Sequence, residues 1–363
     1  MRSILFALLF SSAPAFAGIQ LDFRTDYQNN AKYTDGTNAD VRGQSYFNIQ
    51  RARIRFFGDF NENISYNARV DALKSSDPTG SGDGAPTYLS YAEVGQKLTD
   101  MFSMKFGKMA DIGTSGWEGQ TNSGDMYFTS ASYFYPYIVG VRFDTKIDSN
   151  NTVTLYGLNG GEATNTSKDE TRTGLGMTYK GYFMDKNLNL IASYHSLPTN
   201  YTIDQTNNLA SLGIQYKMDD LLLQADYDMT TFVKQSVVSG DDAKKTSIVA
   251  VVKYAIGSWI PNIKYEASTV DSVASTNYET GNGATATAGK LYGVSFPTVA
   301  YKNQINQYAA GFEYKPKTDE SFRYHLMYVN KATKFDDVFN AANSTVTESK
   351  IIAGVRIVAD ILK

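Results

Sequence analysis

The sequence predicts an all-β fold: a transmembrane antiparallel β-barrel of about sixteen strands with a constriction loop folded inward. Three observations predict it. First, stretch after stretch alternates between side chains fit for lipid and side chains fit for water. In 137–146, Tyr137, Val139, Val141 and Phe143 fall on one side, and Arg142, Asp144 and Lys146 on the other. In 221–229, Leu221, Leu223, Ala225, Tyr227 and Met229 oppose Gln224, Asp226 and Asp228. Successive strand side chains point to opposite faces, so each stretch has one apolar and one polar face. Second, the connections alternate short and long. Third, no later segment holds about 18 consecutive apolar residues, so strands are left to do the crossing. In a bilayer every backbone group must be paired within the protein, and a closed barrel does this.

The first residues read as an export leader. Arg2 precedes the apolar run Ile4–Phe10, and Ala15-Phe16-Ala17 is an A-x-A cleavage site. We therefore expect a signal peptide over 1–17 and one barrel domain over 18–363. There are no cysteines, which excludes a disulfide framework and thiolate chemistry. Tyr (26) and Phe (20) are abundant and suit interfacial girdles. The net charge of −3 argues against a nucleic-acid partner. A mean hydropathy of −0.33 fits a membrane barrel because half of each strand faces water.

Strands are expected near 18–27, 44–59, 62–73, 87–97, 101–109, 137–147, 152–159, 172–182, 187–196, 208–217, 220–229, 246–255, 261–270, 306–315, 320–330 and 349–361. Short turns such as Thr99-Asp100, Asp148-Ser149-Asn150-Asn151, Asp219-Asp220 and Gly257-Ser258-Trp259 carry the residues that tight backbone geometry favours. The long loops fall near 28–43, 74–86, 110–136, 160–171, 197–207, 230–245, 271–305 and 331–348. Seven short and eight long connections place both termini at one end, with 18–27 pairing with 349–361 to close the barrel.

The sharpest local pattern is Gln50-Arg51-Ala52-Arg53-Ile54-Arg55-Phe56. Arg51, Arg53 and Arg55 share one face. An arginine facing lipid at the bilayer midplane costs about 2–4 kcal/mol, so that face must be the lumen. The three guanidiniums would be spaced at about 6.5–7 Å along the strand. They either steer anions or are neutralised by acids and stiffen the wall. Arg69, Lys105, Arg142, Lys264, Arg323 and Arg356 fall on other polar faces, with Asp71, Glu93, Asp144, Asp226, Glu266 and Glu313 as acidic partners.

A barrel of sixteen strands is too wide for side chains to fill and leaves an aqueous channel. The segment 110–136 is long and contains Gly113, Gly116, Gly119 and Gly124 with the acids Asp111, Glu118 and Asp125. Folded inward, it would narrow that channel and set carboxylates against wall arginines. Packed over the rim, it would be an ordinary external loop.

Enzyme signals are weak. His195 and His325 are the only histidines, both on presumed lumen faces. No nucleophile motif, metal-ligand spacing or phosphate-binding glycine loop accompanies them. We expect no enzyme, no cofactor and no metal.

Two hairpins resemble a known family. Gln50–Phe60 with Ile64–Asp71, and Leu89–Val94 with Phe102–Lys108, are similar to successive strands of bacterial porins of the phosphate-selective porin O and P type. The resemblance spans about 44–110. Beyond that the general barrel pattern alone agrees, and the chain ends in Lys363 where such barrels usually end in an aromatic residue. The resemblance implies a sixteen-strand, trimeric outer-membrane porin with Arg51, Arg53 and Lys105 as positive lumen residues. The expected function is passive diffusion of small hydrophilic solutes and ions, general or weakly selective, in contact with outer-membrane lipid and lipopolysaccharide. The alternatives are a channel selective for phosphate, another anion or a sugar, and a plugged barrel serving as an anchor or receptor.

Overall fold

Alternating side chains allow a sheet to bend into a tube, one face turned in and the other out. In the computed structural model sixteen strands close in this way. The structure describes residues 16–34, 41–72, 89–109, 116–121, 138–159, 173–200, 205–233, 243–273, 301–317, 321–335 and 345–362. The first eight strands are β1 Phe16–Thr34, β2 Val41–Asn61, β3 Ile64–Asp71, β4 Leu89–Lys97, β5 Phe102–Met109, β6 Ile138–Lys146, β7 Asn151–Asn159 and β8 Thr173–Phe183. The second eight are β9 Leu188–Asn200, β10 Gln205–Met218, β11 Leu221–Val233, β12 Ala243–Tyr254, β13 Trp259–Val273, β14 Tyr301–Tyr314, β15 Phe322–Phe335 and β16 Thr345–Leu362. A single helical turn and a half, α1 Gly116–Thr121, lies between β5 and β6. Each strand pairs antiparallel with its chain neighbours, and β1 pairs with β16 to close the barrel.

The strand count, the antiparallel order and the closing pair agree with the sequence expectation. Several ends do not. β1 runs on to Thr34, and β9 and β10 are separated by four residues only, 201–204, where a loop over 197–207 is expected. The strands continue where polar residues occupy both faces, so the amphipathic pattern fades before the hydrogen-bond ladder ends. Phe16 and Ala17, the last residues of the expected leader, pair with Asp59 and Gly58. The rest of that leader lies outside the described residues.

Short turns are set by local acceptors. Asn61 Oδ1 accepts the backbone N–H groups of Asn63 and Ile64, and Thr99 Oγ1 accepts those of Met101 and Phe102. Asp148 Oδ1 accepts from Asn150 and Asn151. The backbone N–H of Asn150 and the Asn151 side chain hold the Asp148 carboxyl below the usual carboxylate range.

The outer face is apolar with two aromatic belts. Near the short turns Trp259 lies 4.7 Å from Tyr314, and Tyr314 lies 6.3 Å from Tyr324. Farther along, Tyr265, Tyr308 and Tyr328 form a second row. There the Tyr265 hydroxyl donates to Asn306 Oδ1 at 3.1 Å, and the Tyr328 and Ser349 hydroxyls lie 3.3 Å apart. Such girdles hold amphipathic rings at lipid–water boundaries. Between the belts the face carries Leu223, Val252, Ile263 and Leu326, all exposed.

One glycine on the inner face has no substitute. Gly107 on β5 has φ of 120°, and a Cβ there would meet the Ala92 backbone oxygen at 2.2 Å. Gly107→Ala should therefore destabilise the barrel by about 1–3 kcal/mol. A lowered urea midpoint of the folded, heat-modifiable band checks it, and an unchanged midpoint refutes it.

Candidate functional site

The inner face of β1 reads Asp22, Arg24, Asp26 and Gln28. Register sets this series among arginines from three other strands. Arg24 is directly opposite Arg356 on β16 and Arg51 on β2, and Arg356 is opposite Arg323 on β15. Four arginines thus stand side by side across β15, β16, β1 and β2. Adjacent strands lie about 4.8 Å apart, so the row requires carboxylates between its members. Asp22 supplies the first: Arg51 Nη1 donates to it at 3.2 Å and Arg356 Nε at 2.9 Å. Asp26 supplies the second. Arg24 donates to it at 2.6 Å, and His325 Nε2 lies 2.9 Å away. His325 reaches across β16 because Gly354 lies between, with no Cβ to meet the Asp26 oxygen and the imidazole.

The β2 ladder crosses this row at Arg51. Arg53 donates to Asp71 on β3 at 2.9 Å. Arg55 donates to Asn67 at 2.8 Å and its guanidinium sits 4.8 Å from the Phe57 ring centre. Arg69, directly opposite Arg55, lies 4.8 Å over Tyr91. The ladder ends at Gln50, where a bulge puts Arg24 opposite Arg51 but Thr25 opposite Ile49. The extra residue exchanges the faces, so that Phe47 and Ile49 point outward above while Ile54 does so below.

The other expected site residues are also placed. Lys105 pairs with Glu93 at 3.1 Å, Arg142 with Asp144 at 2.8 Å, and Arg323 with Glu313 at 3.8 Å. Glu118 is buried in α1, whereas Asp111 and Asp125 lie outside the described residues. The lumen face of β1 escaped the sequence reading. Its signal is the alternation Asp22-x-Arg24-x-Asp26, which any amphipathic strand shares.

Across the barrel, α1 is docked on the inner faces of β9, β10, β11 and β13. Asp226 on β11 accepts the backbone N–H groups of Trp117 at 2.7 Å and Glu118 at 2.9 Å, and also the Gln224 amide at 2.8 Å. A strand carboxylate thus caps the first turn of the helix, satisfying donors a helix leaves open. The Gly116 N–H donates to Ser211 Oγ, which lies 2.6 Å from Ser193 Oγ. Lys264 Nζ donates to Glu118 Oε1 at 2.6 Å, both side chains nearly fully buried. The Trp117 ring rests over Gly213, where a Cβ would come within 2.9 Å of it.

Part of the inner face is apolar, against the expectation of a wholly polar one. Met109, Tyr156, Leu158, Leu197 and Leu209 form a buried cluster. Leu197 extends across β8 at Gly174, and His195 lies over Gly176, its ring 5.2 Å from that of Tyr156. Bare backbone on β8 lets large side chains from its neighbours meet over it.

The sequence profile of the phosphate-selective porin O and P family matches residues 19–259, which contain the whole arginine ladder, α1 and its cap. The chain belongs to that family. This porin also resembles solved barrels in fold. The outer-membrane channel DcaP of Acinetobacter baumannii superposes with a TM-score of 0.62 at 12% identity, over 95% of this chain and 98% of that one. The anion-selective porin from Comamonas acidovorans gives 0.59 at 11% identity, over 95% and 100%. The trimer form of OmpT of Vibrio cholerae gives 0.55 at 13%, over 94% and 99%. No curated protein matches it in sequence. The porin is an outer-membrane channel for passive diffusion, and its family and fold are those of non-enzymatic channels.

Proposed function

We propose that this porin is a weakly selective channel that favours small anions, narrowed by the segment carrying α1. One observation carries the preference. In most inner-face ion pairs the cation stands farther into the open than its carboxylate: Lys105 is 33% exposed against 8% for Glu93, and Arg323 is 32% against 9% for Glu313. Asp22, at 16%, is the exception, and it is shared by two arginines. A solute therefore meets guanidinium and ammonium groups before it meets acids. Partial neutralisation supports a weak preference rather than tight phosphate binding, because paired charges are screened at short range.

The narrowing is supported by the dock. A segment leaving β5 and returning at β6 is bonded at its middle to β10, β11 and β13, so it lies within the tube at that point. Arg53, Arg55, Arg69, Lys105, Arg142 and Arg323 are then the pore-lining cations opposite it, whereas Arg51, expected among them, is buried against Asp22. In the same reading the mature chain starts near Gly18 and assembles as a homotrimer, as OmpT does in its trimer form, with lipopolysaccharide around the outer belt.

The test is reversal potential in a KCl gradient. The wild-type porin should favour chloride. The triple variant Arg55→Gln/Lys105→Gln/Arg323→Gln should move the permeability ratio several-fold toward potassium. Equal reversal potentials for the two proteins would overturn the assignment of selectivity to these cations.

A further inference from the structure

We infer that Asp226 and Lys264, two residues of the barrel wall, position α1 and thereby set the width of the channel. The inference deepens the constriction reading above and rests on it. Neither residue is among those whose charge faces the open lumen: Asp226 is 2% exposed and Lys264 3%. Their bonds run to α1 instead, and they hold it at two different places. Asp226 takes the backbone of the first turn, and Lys264 takes the side chain of Glu118.

A six-residue helix cannot persist by itself in water, since the nucleating turn is costly. Its order here comes from the wall. Asp226 takes the Trp117 and Glu118 N–H groups that open the helix, whose first residue, Gly116, is in the left-handed region at φ of 53°. That glycine is required: a Cβ on it would meet Asp226 Oδ1 at 2.4 Å. Gly213 provides the matching recess for Trp117, and Ser211 the bond to the Gly116 N–H. The acids around the dock make Asp226 a costly choice for a purely structural role. Asp228 and Glu266 are fully buried on the same inner wall, and both Asp228 carboxylate oxygens lack a hydrogen-bond partner among the described residues. A carboxylate beside them destabilises the bare barrel, and its compensation is the set of N–H donors that α1 brings. Without α1 the same wall would hold three carboxylates with Lys264 as their neighbouring cation and with fewer N–H donors on Asp226. The dock is therefore built for an occupied state, and the occupant is α1.

The porin has two tryptophans, Trp117 and Trp259. In a Trp259→Phe background Trp117 alone reports whether α1 is seated, independently of conductance. Three variants are made in that background: Asp226→Ala, Asp226→Asn and Gly213→Val. Val suits a strand and removes no charge, but its Cβ would press on Asp226 Oδ1 at 2.2 Å and on Trp117 at 2.9 Å, so it disturbs the cap and the ring seat together. The expected result is a red-shifted Trp117 emission with higher single-channel conductance in Asp226→Ala and Gly213→Val. Asp226→Asn should lie between them and the parent, since asparagine also caps. A single Lys264→Glu should behave as Asp226→Ala does, and the exchange Glu118→Lys/Lys264→Glu should restore both readouts toward parent values. Barrel folding is followed by heat-modifiable migration. Parent emission and parent conductance in folded Asp226→Ala and Gly213→Val would overturn the inference. A red shift with parent conductance would overturn the constriction reading while leaving the anchoring in place.

Discussion

Deleting residues 115–128 should raise single-channel conductance on the order of two-fold, because a sixteen-strand barrel without an internal obstruction leaves an open aqueous channel. The size limit for sugars in liposome swelling should rise with it. The structure adds a second expected change. The deletion removes α1, and with it the Trp117 and Glu118 donors on Asp226 and the partner of Lys264. Asp226, Asp228 and Glu266, now nearly fully buried, would then face water on one wall with Lys264 as their neighbouring cation. Selectivity should therefore move toward cations as conductance rises. The two readouts separate two ways of being wrong. Wild-type conductance and size limit in a folded barrel would mean that the segment lies outside the pore. Higher conductance with unchanged ion preference would mean that the acids under α1 stay out of reach of the permeating ion.

Replacing Asp22 should have the largest effect on stability. Its carboxylate bonds Arg51 and Arg356, which stand two apart in the row Arg323, Arg356, Arg24 and Arg51. Asp22→Asn keeps the shape and removes the charge, leaving the row with Asp26 and Glu313 alone. Removing one partner from a largely buried ion pair typically costs about 3–5 kcal/mol, and with Asp22 partly solvated about 2–4 kcal/mol is expected. Anion preference should increase at the same time, since the guanidiniums lose a counter-charge. Urea unfolding of the lipid-embedded barrel measures the first effect and reversal potential the second. A midpoint equal to wild type would show that the row tolerates its own charge and that Asp22 is not its keystone. The simultaneous replacement Arg51→Gln/Arg53→Gln/Arg55→Gln would instead remove the Arg53 ion pair from Asp71 and the Arg51 bond from Asp22. Its effect on stability is therefore that of a neutralised ladder, the second of the two readings the sequence left open, rather than of a free one.

The barrel was legible because its signal is redundant. Leu221–Met229 and Tyr137–Lys146 each declare their faces, and sixteen such segments outvote any local error. The closing pair of β1 and β16 followed from the alternation of short and long connections. The charged site was legible only along strands. Arg51, Arg53 and Arg55 are two residues apart, so a single sequence window shows them on one face. Arg323, Arg356, Arg24 and Arg51 come from four strands, and only register makes them neighbours. A bulge such as that at Gln50 shifts register by one residue without any mark in the local pattern. The dock was hidden for a different reason. Glu118 was visible as an acid in a glycine-rich segment, but Lys264 and Asp226 are more than a hundred positions away and read as ordinary polar-face residues.

The side-chain bonds that join β15 and β16 to β1 have one more consequence, which concerns time. Arg356 and Asp22 are 334 residues apart in the chain, and His325 and Asp26 are 299 apart. Contacts so distant in sequence form only when the last strand meets the first, after the remaining hairpins are in place. If closure follows the barrier to folding, they are absent from that barrier and present in the final state. Interactions of that kind slow unfolding without hastening assembly. The arginine seam then acts as a clasp that fastens after insertion, and the lifetime of the porin in the membrane depends on it more than the rate of its arrival does.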